Sequence, residues 1–304
     1  MVTDTADSGT RVSALTLMAI VVTVLAWASA FVVIRAVGAH FSPGALTLGR
    51  LLVGSIVLGV VLLARRGWVH PSARDWLLLV GCGISWFAVY NIALNAAELE
   101  LDAGTTAMLV NVGPILIAVL AGTVLREGIP PWLIGGAGVS LVGVVLISIG
   151  SQGAAVGSGW GIALCLLAAV SYAIGVILQK VVLRRLPALQ VTWIACTVGA
   201  VVCLPFLAQL VGETVTAPAT SVWGVIYLGA VPTALAFTTW AYALSRMPAG
   251  RLGVTTYLVP PLTIVIAWAF LAEVPAPLQV VGGVVCLVGV ALSRMPSRRR
   301  AVPE

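Results

Sequence analysis

Ten apolar runs, each about as long as a bilayer core is thick, fill this 304-residue chain almost end to end. They cover residues 14–37, 44–64, 76–97, 104–125, 131–150, 158–179, 187–210, 221–245, 250–272 and 276–294. A helix crosses the hydrocarbon layer in about 20 mainly apolar residues. The chain is 61% hydrophobic and 9% charged, against roughly a quarter charged in a soluble domain. A lone apolar segment in lipid must satisfy its own backbone, so each run reads as a helix. The runs do not alternate as the short strands of a membrane barrel do. The expectation is an all-α integral membrane protein with ten transmembrane helices. The connections are too short to hold an inserted soluble domain. The first run is too long for a signal-peptide core and has no clear cleavage site after it, so it reads as a retained span.

The second five runs repeat the first five. At an offset of 146, Glu127 falls on Glu273, Pro131 on Pro277, Gly136 on Gly282 and Pro114 on Pro260. Leu141-Val142-Gly143-Val144 falls on Leu287-Val288-Gly289-Val290, and Ala103-Gly104 on Ala249-Gly250. At an offset of 144, Pro43 falls on Pro187. Five spans per unit is odd, so the two copies must face opposite ways, as in an inverted-topology repeat. The expected organisation is a cytoplasmic tail (1–13), two five-helix repeats (14–150 and 158–294) and a basic cytoplasmic tail (295–304). Such halves can exchange conformations around a midplane site, which points to a carrier.

Charge placement sets the expected orientation. With the N-terminus in the cytoplasm, the inner segments hold 14 of the 16 basic residues. Outer loops then hold Glu98, Glu100, Asp102, Glu213 and Glu273, and no Lys or Arg. That is a strong positive-inside bias, with both termini cytoplasmic in a bacterial inner membrane. It accounts for the net charge of +6 without nucleic acid. Arg298–Arg300 would meet anionic headgroups. The five cysteines all fall inside spans and form no CxxC pair, and His40 and His70 lie in loops. No metal site or cofactor follows. No phosphate-binding Gly-rich loop precedes the one lysine, Lys180, so ATP-driven pumping is not expected. No Asp or Glu falls at midspan, so a carboxylate proton relay is not expected either. Facilitated diffusion or exchange remains.

Several stretches resemble the EamA-domain proteins of the drug/metabolite transporter superfamily. They are Trp27-Ala28-Ser29-Ala30-Phe31, Gly49-Arg50-Leu51-Leu52, the stretch from Ala93 to Ile129, and the stretch from Thr256 to Val274 with the Gly-rich run after it. The resemblance covers about residues 14–294. It implies ten spans in two repeats and transport of a metabolite, and names no solute. One departure is Leu51, where family members often carry an aromatic residue.

Candidate solute-binding residues follow from polarity within spans. Arg50 is the one charge well inside a run, and burying it is costly. It either binds a carboxylate or phosphate in the cavity or snorkels to the outer end. Asn91 and Asn95 share a helix face. Asn111 aligns with Tyr257, and the pair is expected to line opposite ends of one cavity. Trp27 aligns with Ser171, beside Tyr172, near midspan. Trp240 and Thr239 lie toward the inner end of the eighth run. Aromatic rings and amides suit an amphipathic, aromatic or cationic solute, or else serve as interhelical and interfacial anchors. Pro114, Pro260 and Pro261 are expected as mid-span kinks that free carbonyls for gating. Gly136/Ser140 and Gly282/Cys286 allow close helix contact, within one bundle or in a homodimer, with internal packing favoured. The expected function is secondary transport of a small metabolite, by alternating access and more often outward. The competing classes are a membrane-embedded enzyme, for which no nucleophile and base are in view, and a non-transporting membrane partner.

Overall fold

The computed structural model describes residues 13–100, 109–150, 159–271, 276–293 and 295, and regular structure among them is helical. The helices are α1 (Ala14–Val37), α2 (Pro43–Arg65), α3 (Ala73–Glu100), α4 (Gly113–Thr123) and α5 (Pro131–Gly150). The second half holds α6 (Gly159–Val182), the bent α7 (Ala188–Val202 and Leu204–Thr216), α8 (Ala219–Leu244), α9 (Ala249–Leu271) and α10 (Pro277–Ser293). In α9 a 3₁₀ turn, Thr255–Leu258, joins Ala249–Val254 to Val259–Leu271. Six of these helices are long and apolar enough to cross a membrane among the described residues, or seven with α7 taken as one span. Helices α4, α5 and α10 contribute shorter apolar stretches.

Local sequence sets the helix ends. Ser13 caps α1 by accepting the Thr16 N–H at 3.2 Å. Pro43 opens α2, where its missing N–H costs nothing. Ser72 and Asp75 form a reciprocal capping box at the start of α3. Pro205 interrupts α7, which bends by 54° there.

The outer surface is apolar, with Leu63, Leu77 and Val215 more than 70% exposed. Such a surface fits lipid, not water. Six exposed tryptophans (Trp68, Trp76, Trp132, Trp160, Trp223 and Trp268) lie within five residues of a helix end. That is the placement of an interfacial belt. Trp27, Trp86 and Trp240 instead turn inward.

The two ends of the bundle are tied by different chemistry. At one end Arg185 pairs with Asp75 at 3.0 Å, and Gln190 exchanges hydrogen bonds with Val69. At the same end Lys180 Nζ donates to the carbonyls of Leu244 and Met247 at 2.5 and 2.7 Å. It also faces Glu127 at 3.9 Å. At the other end Glu213 accepts the Ser42 N–H at 2.9 Å, and His40 meets Ser221.

Helices α5 and α10 form the closest packing. Ser140 Oγ bonds the Cys286 carbonyl and Cys286 Sγ bonds the Ser140 carbonyl, each at 3.3 Å. A Cβ on Gly136 would sit 2.5 Å from the Gly289 carbonyl oxygen, and one on Gly282 2.6 Å from that of Gly143. The small residues expected at this contact thus serve packing within one chain.

Several expectations need correction. Glu98, Glu100 and Glu213 lie on helices rather than in loops, because α3 continues to Glu100 and α7 to Thr216. Pro114 and Pro260 stand directly after breaks near the middle of their runs, a turn at 111–112 and the 3₁₀ turn Thr255–Leu258. Each stands in the first turn of a helix that restarts after a turn, at Gly113 and Val259. A first-turn proline has no helical partner to lose. Residues 104–108, Glu273 and Arg298–Arg300 lie outside the described residues.

Candidate functional site

The site is built where two helices leave α-helical geometry. Gly83–Val89 in α3 and Gly229–Leu235 in α8 are π-helical. The second segment lies at the 146-residue offset from the first, so the deviation is shared by both repeats. Such wide turns displace carbonyls from the regular ladder and recur at functional sites. In α3 the displaced Trp86 and Phe87 carbonyls are taken by Asn91 Nδ2 at 3.1 and 2.9 Å. In α8 the Leu228 carbonyl is taken by the Thr233 hydroxyl at 2.8 Å.

Between these segments lies a buried aromatic cluster. Trp86 stands at its centre, with ring centroids 6.3 Å from Trp27, 5.3 Å from Tyr172, 4.8 Å from Phe237 and 5.9 Å from Trp240. Trp27 approaches Trp240 to 5.1 Å. Tyr90 continues the cluster beyond Tyr172, at 5.7 Å. These separations favour tilted and edge-on ring contacts. Buried Tyr and Trp polar atoms normally find partners. Here Trp240 Nε1 is buried without one among the described residues. The Tyr172 hydroxyl lies beside Thr256 without a well-formed hydrogen bond.

Arg50 sits at the edge of this cluster. It is 5% exposed and donates from Nε to Thr233 Oγ1 at 3.1 Å. No carboxylate lies within ion-pair distance of it among the described residues. Tyr90 and Glu98 act on it electrostatically from α3. Asn95 Nδ2 binds Thr47 Oγ1 at 3.1 Å, while Asn95 Oδ1 is buried without a partner among the described residues. The seam between α2 and α3 is therefore polar inside an apolar bundle.

The structure brings Trp27, Tyr172 and Trp240 together, and Arg50 binds Thr233, next to Pro232, whose carbonyl Trp27 binds. Asn91 contributes its amide donors to the backbone of its own helix. Tyr257 is fully buried, and its hydroxyl donates to the Asn111 carbonyl at 2.8 Å. Asn111 and Tyr257 thus touch one another instead of lining opposite ends of a cavity, because α4 and α9 meet at their matched breaks. Pro260 and Pro261 stand in the first turn of the second part of α9, Val259–Leu271. A cleft of about 150 Å³ opens at the Lys180 end, lined by Ala118, Glu127, Leu133, Pro248 and Arg251.

Sequence reasoning missed Trp86, Phe237, Thr233 and Gln179. Trp86 was legible: it stands four residues before Tyr90, in the middle of an apolar run. Gln179 follows Tyr172 by seven residues on one face of α6 and is fully buried, with neither amide atom partnered among the described residues. Thr233 carries no signal until the π-helical turn is known.

The EamA-like transporter family profile matches residues 14–149 and again residues 159–295. A probable terminal-alkyne amino-acid exporter of Streptantibioticus cattleyicolor is 34% identical over 93% of this chain and 95% of its own length. The transporter YdfC of Bacillus subtilis, of uncharacterised function, is 34% identical over 88% of this chain and 87% of its own. A probable amino-acid metabolite efflux pump of Salmonella typhimurium is 25% identical over 89% and 91%. One solved crystal structure superposes with a TM-score of 0.78 at 22% identity, covering 93% of this chain and 97% of the other. Two profile matches spanning nearly all of a multi-pass helical membrane protein place this chain in the EamA-like transporter family.

Proposed function

We propose that this protein exports a small amino-acid-like metabolite with an apolar, π-rich side chain, by alternating access across the bacterial cytoplasmic membrane. The observation that carries this is the aromatic cluster of Trp27, Trp86, Tyr172 and Trp240, which holds unpartnered buried donors beside the buried guanidinium of Arg50. Rings supply an apolar wall for the side chain and faces that attract an ammonium group. Arg50 supplies a fork for the carboxylate. The relatives named as amino-acid exporters favour the same solute class and direction.

Ten spans in two five-helix repeats, 14–150 and 158–294, fit the ten helical stretches. Inversion of the repeats is favoured by the loop contacts. The loop before α2 meets the α7–α8 end, while its counterpart before α7 meets the loop before α3. The Lys180 end carries Arg65, Arg66, Arg74, Arg126, Arg184, Arg185, Arg246 and Arg251, and Glu98, Glu100 and Glu213 mark the other. That asymmetry favours cytoplasmic termini. Buried polar atoms without a partner among the described residues, Asn95 Oδ1, the Tyr172 hydroxyl, Trp240 Nε1 and the Gln179 amide, mark the route we assign to the solute. Transport proceeds by facilitated diffusion or exchange.

The test is efflux from cells loaded with amino acids, aromatic acids, sugars, nucleobases or quaternary cations. Intact protein should lower the internal level of an apolar amino acid at least several-fold relative to Trp27→Ala at matched membrane expression. Lowering of sugars or nucleobases alone would overturn the assignment.

A further inference from the structure

The two π-helical segments are repeat mates, yet they are secured differently. Asn91 seals the first from within its own helix. The second is closed within its helix by the Thr233 hydroxyl on the Leu228 carbonyl, and is also held from outside, by Arg50 Nε on Thr233 Oγ1 at 3.1 Å and by Trp27 Nε1 on the Pro232 carbonyl at 3.2 Å. Two groups assigned to the solute therefore hang on consecutive residues of one turn. We propose that Thr233 is a positioning residue that sets carboxylate selectivity by fixing the guanidinium of Arg50. The inference rests on the solute site proposed above.

The chemistry follows from the donor count. Thr233 spends its one hydroxyl proton on the Leu228 carbonyl, so toward Arg50 it can only accept. That bond occupies Nε and stops the planar guanidinium from turning. The two terminal nitrogens are left as an end-on fork, which matches the paired oxygens of a carboxylate. A carboxamide offers one oxygen and no charge. Thr233 sits on the displaced turn because the wide π-helical geometry brings its hydroxyl onto a carbonyl five residues back. A regular α-helix would offer the carbonyl four back instead.

The experiment compares uptake of labelled L-propargylglycine and its carboxamide into proteoliposomes of the full-length protein. Wild type should favour the carboxylate. Thr233→Val keeps the branched shape but removes the acceptor, and should cut that preference about tenfold through KM, with Vmax within twofold. Thr233→Ser should restore it, and Thr233→Ala serves as the acceptor-free variant if valine fails to reconstitute. Arg50→Gln should abolish the preference. If Thr233→Val keeps the preference that Arg50→Gln loses, the inference falls and the solute site stands. If serine fails to restore it, the position serves packing and the inference falls. If Arg50→Gln keeps the preference, or wild type moves neither compound, the solute site falls and the inference with it.

Discussion

The contact between α5 and α10 and the pair formed by α3 and α8 both descend from the duplication, and they have aged differently. In the first, the symmetry survives down to side-chain bonds: Ser140 and Cys286 bond each other's carbonyls at equal distances. In the second, only the backbone survives. Both helices widen at matched positions, but Trp86 and Phe87 in one face Pro232 and Thr233 in the other. A contact between two backbones leaves no room for change, since any added atom meets a main chain that cannot move aside. A wide turn facing the interior tolerates new side chains as long as its carbonyls find donors. The symmetric contact is scaffold, and the asymmetric pair is where selectivity can diverge.

The largest expected effect breaks the symmetric contact. Gly136→Val would press a side chain on the Gly289 carbonyl and the Ser293 backbone, 2.5 Å from an ideal Cβ. Overpacking against side chains costs about 1–3 kcal/mol, and the upper end, about 3 kcal/mol, is expected against backbone. Gly138, two residues on, has nothing within 4 Å of its Cβ position. Gly138→Val should leave thermal stability in detergent nearly unchanged while Gly136→Val abolishes the folded peak. Equal effects at the two positions would show that the contact is not what limits valine.

The next effect sharpens the contrast between the wide turns. Asn91→Ala leaves the Trp86 and Phe87 carbonyls without their side-chain donor. Stranding buried polar groups costs about 1–3 kcal/mol each, so a loss of about 2 kcal/mol is expected after local adjustment. It should appear in thermal stability, with KM for the solute within twofold. A KM shift without a stability loss would make Asn91 part of the solute site. Trp240→Phe tests the opposite case. Its Nε1 has no partner to lose among the described residues, so only the ring volume lost from the packed cluster should cost stability, about 1 kcal/mol. If the solute accepts that bond, KM should rise about tenfold, which is about 1.4 kcal/mol. Unchanged flux would confine Trp240 to packing.

What the sequence made legible was whatever depends on period, length and bulk. Runs of apolar residues located the helices, and the repeat identified Gly136, Gly282 and the matched prolines. The register of each element was also within reach: Trp27 and Tyr172 were expected near midspan, and both lie in the aromatic cluster. Thr233 escaped because its role depends on a local widening of the helix that no residue type announces, whereas Trp86 was overlooked although it stands in an apolar run four residues before Tyr90. Glycine opens both segments, but the chain has 32 glycines and most pack helices instead. Asn111 and Tyr257 were misplaced for a related reason. Reading each run as one straight helix puts them at opposite depths, whereas the breaks before Gly113 and Val259 let them meet.

The smallest expected effect concerns the ties at the Lys180 end, where charge and hydrogen bonding can be separated. Glu127 has two duties: it accepts the Ala249 N–H at 2.7 Å and faces Lys180 at 3.9 Å. Glu127→Gln keeps an oxygen for Ala249 and removes only the charge. Ion pairs of this length and partial exposure contribute about 0–1 kcal/mol, so thermal stability should fall by about 0.5 kcal/mol or less. Lys180→Met removes the donor that serves the Leu244 and Met247 carbonyls at the end of α8. Those bonds are short and charge-assisted, and their loss should cost about 1–2 kcal/mol. Lysine thus works here chiefly as a cap that joins α6 to the α8–α9 turn, with the glutamate as its minor neighbour. Thermal unfolding of the two variants in low and high salt decides the matter. If Glu127→Gln costs as much as Lys180→Met, and salt erases both losses, the tie is electrostatic and this end of the bundle is held by charge, unlike the backbone contact between α5 and α10.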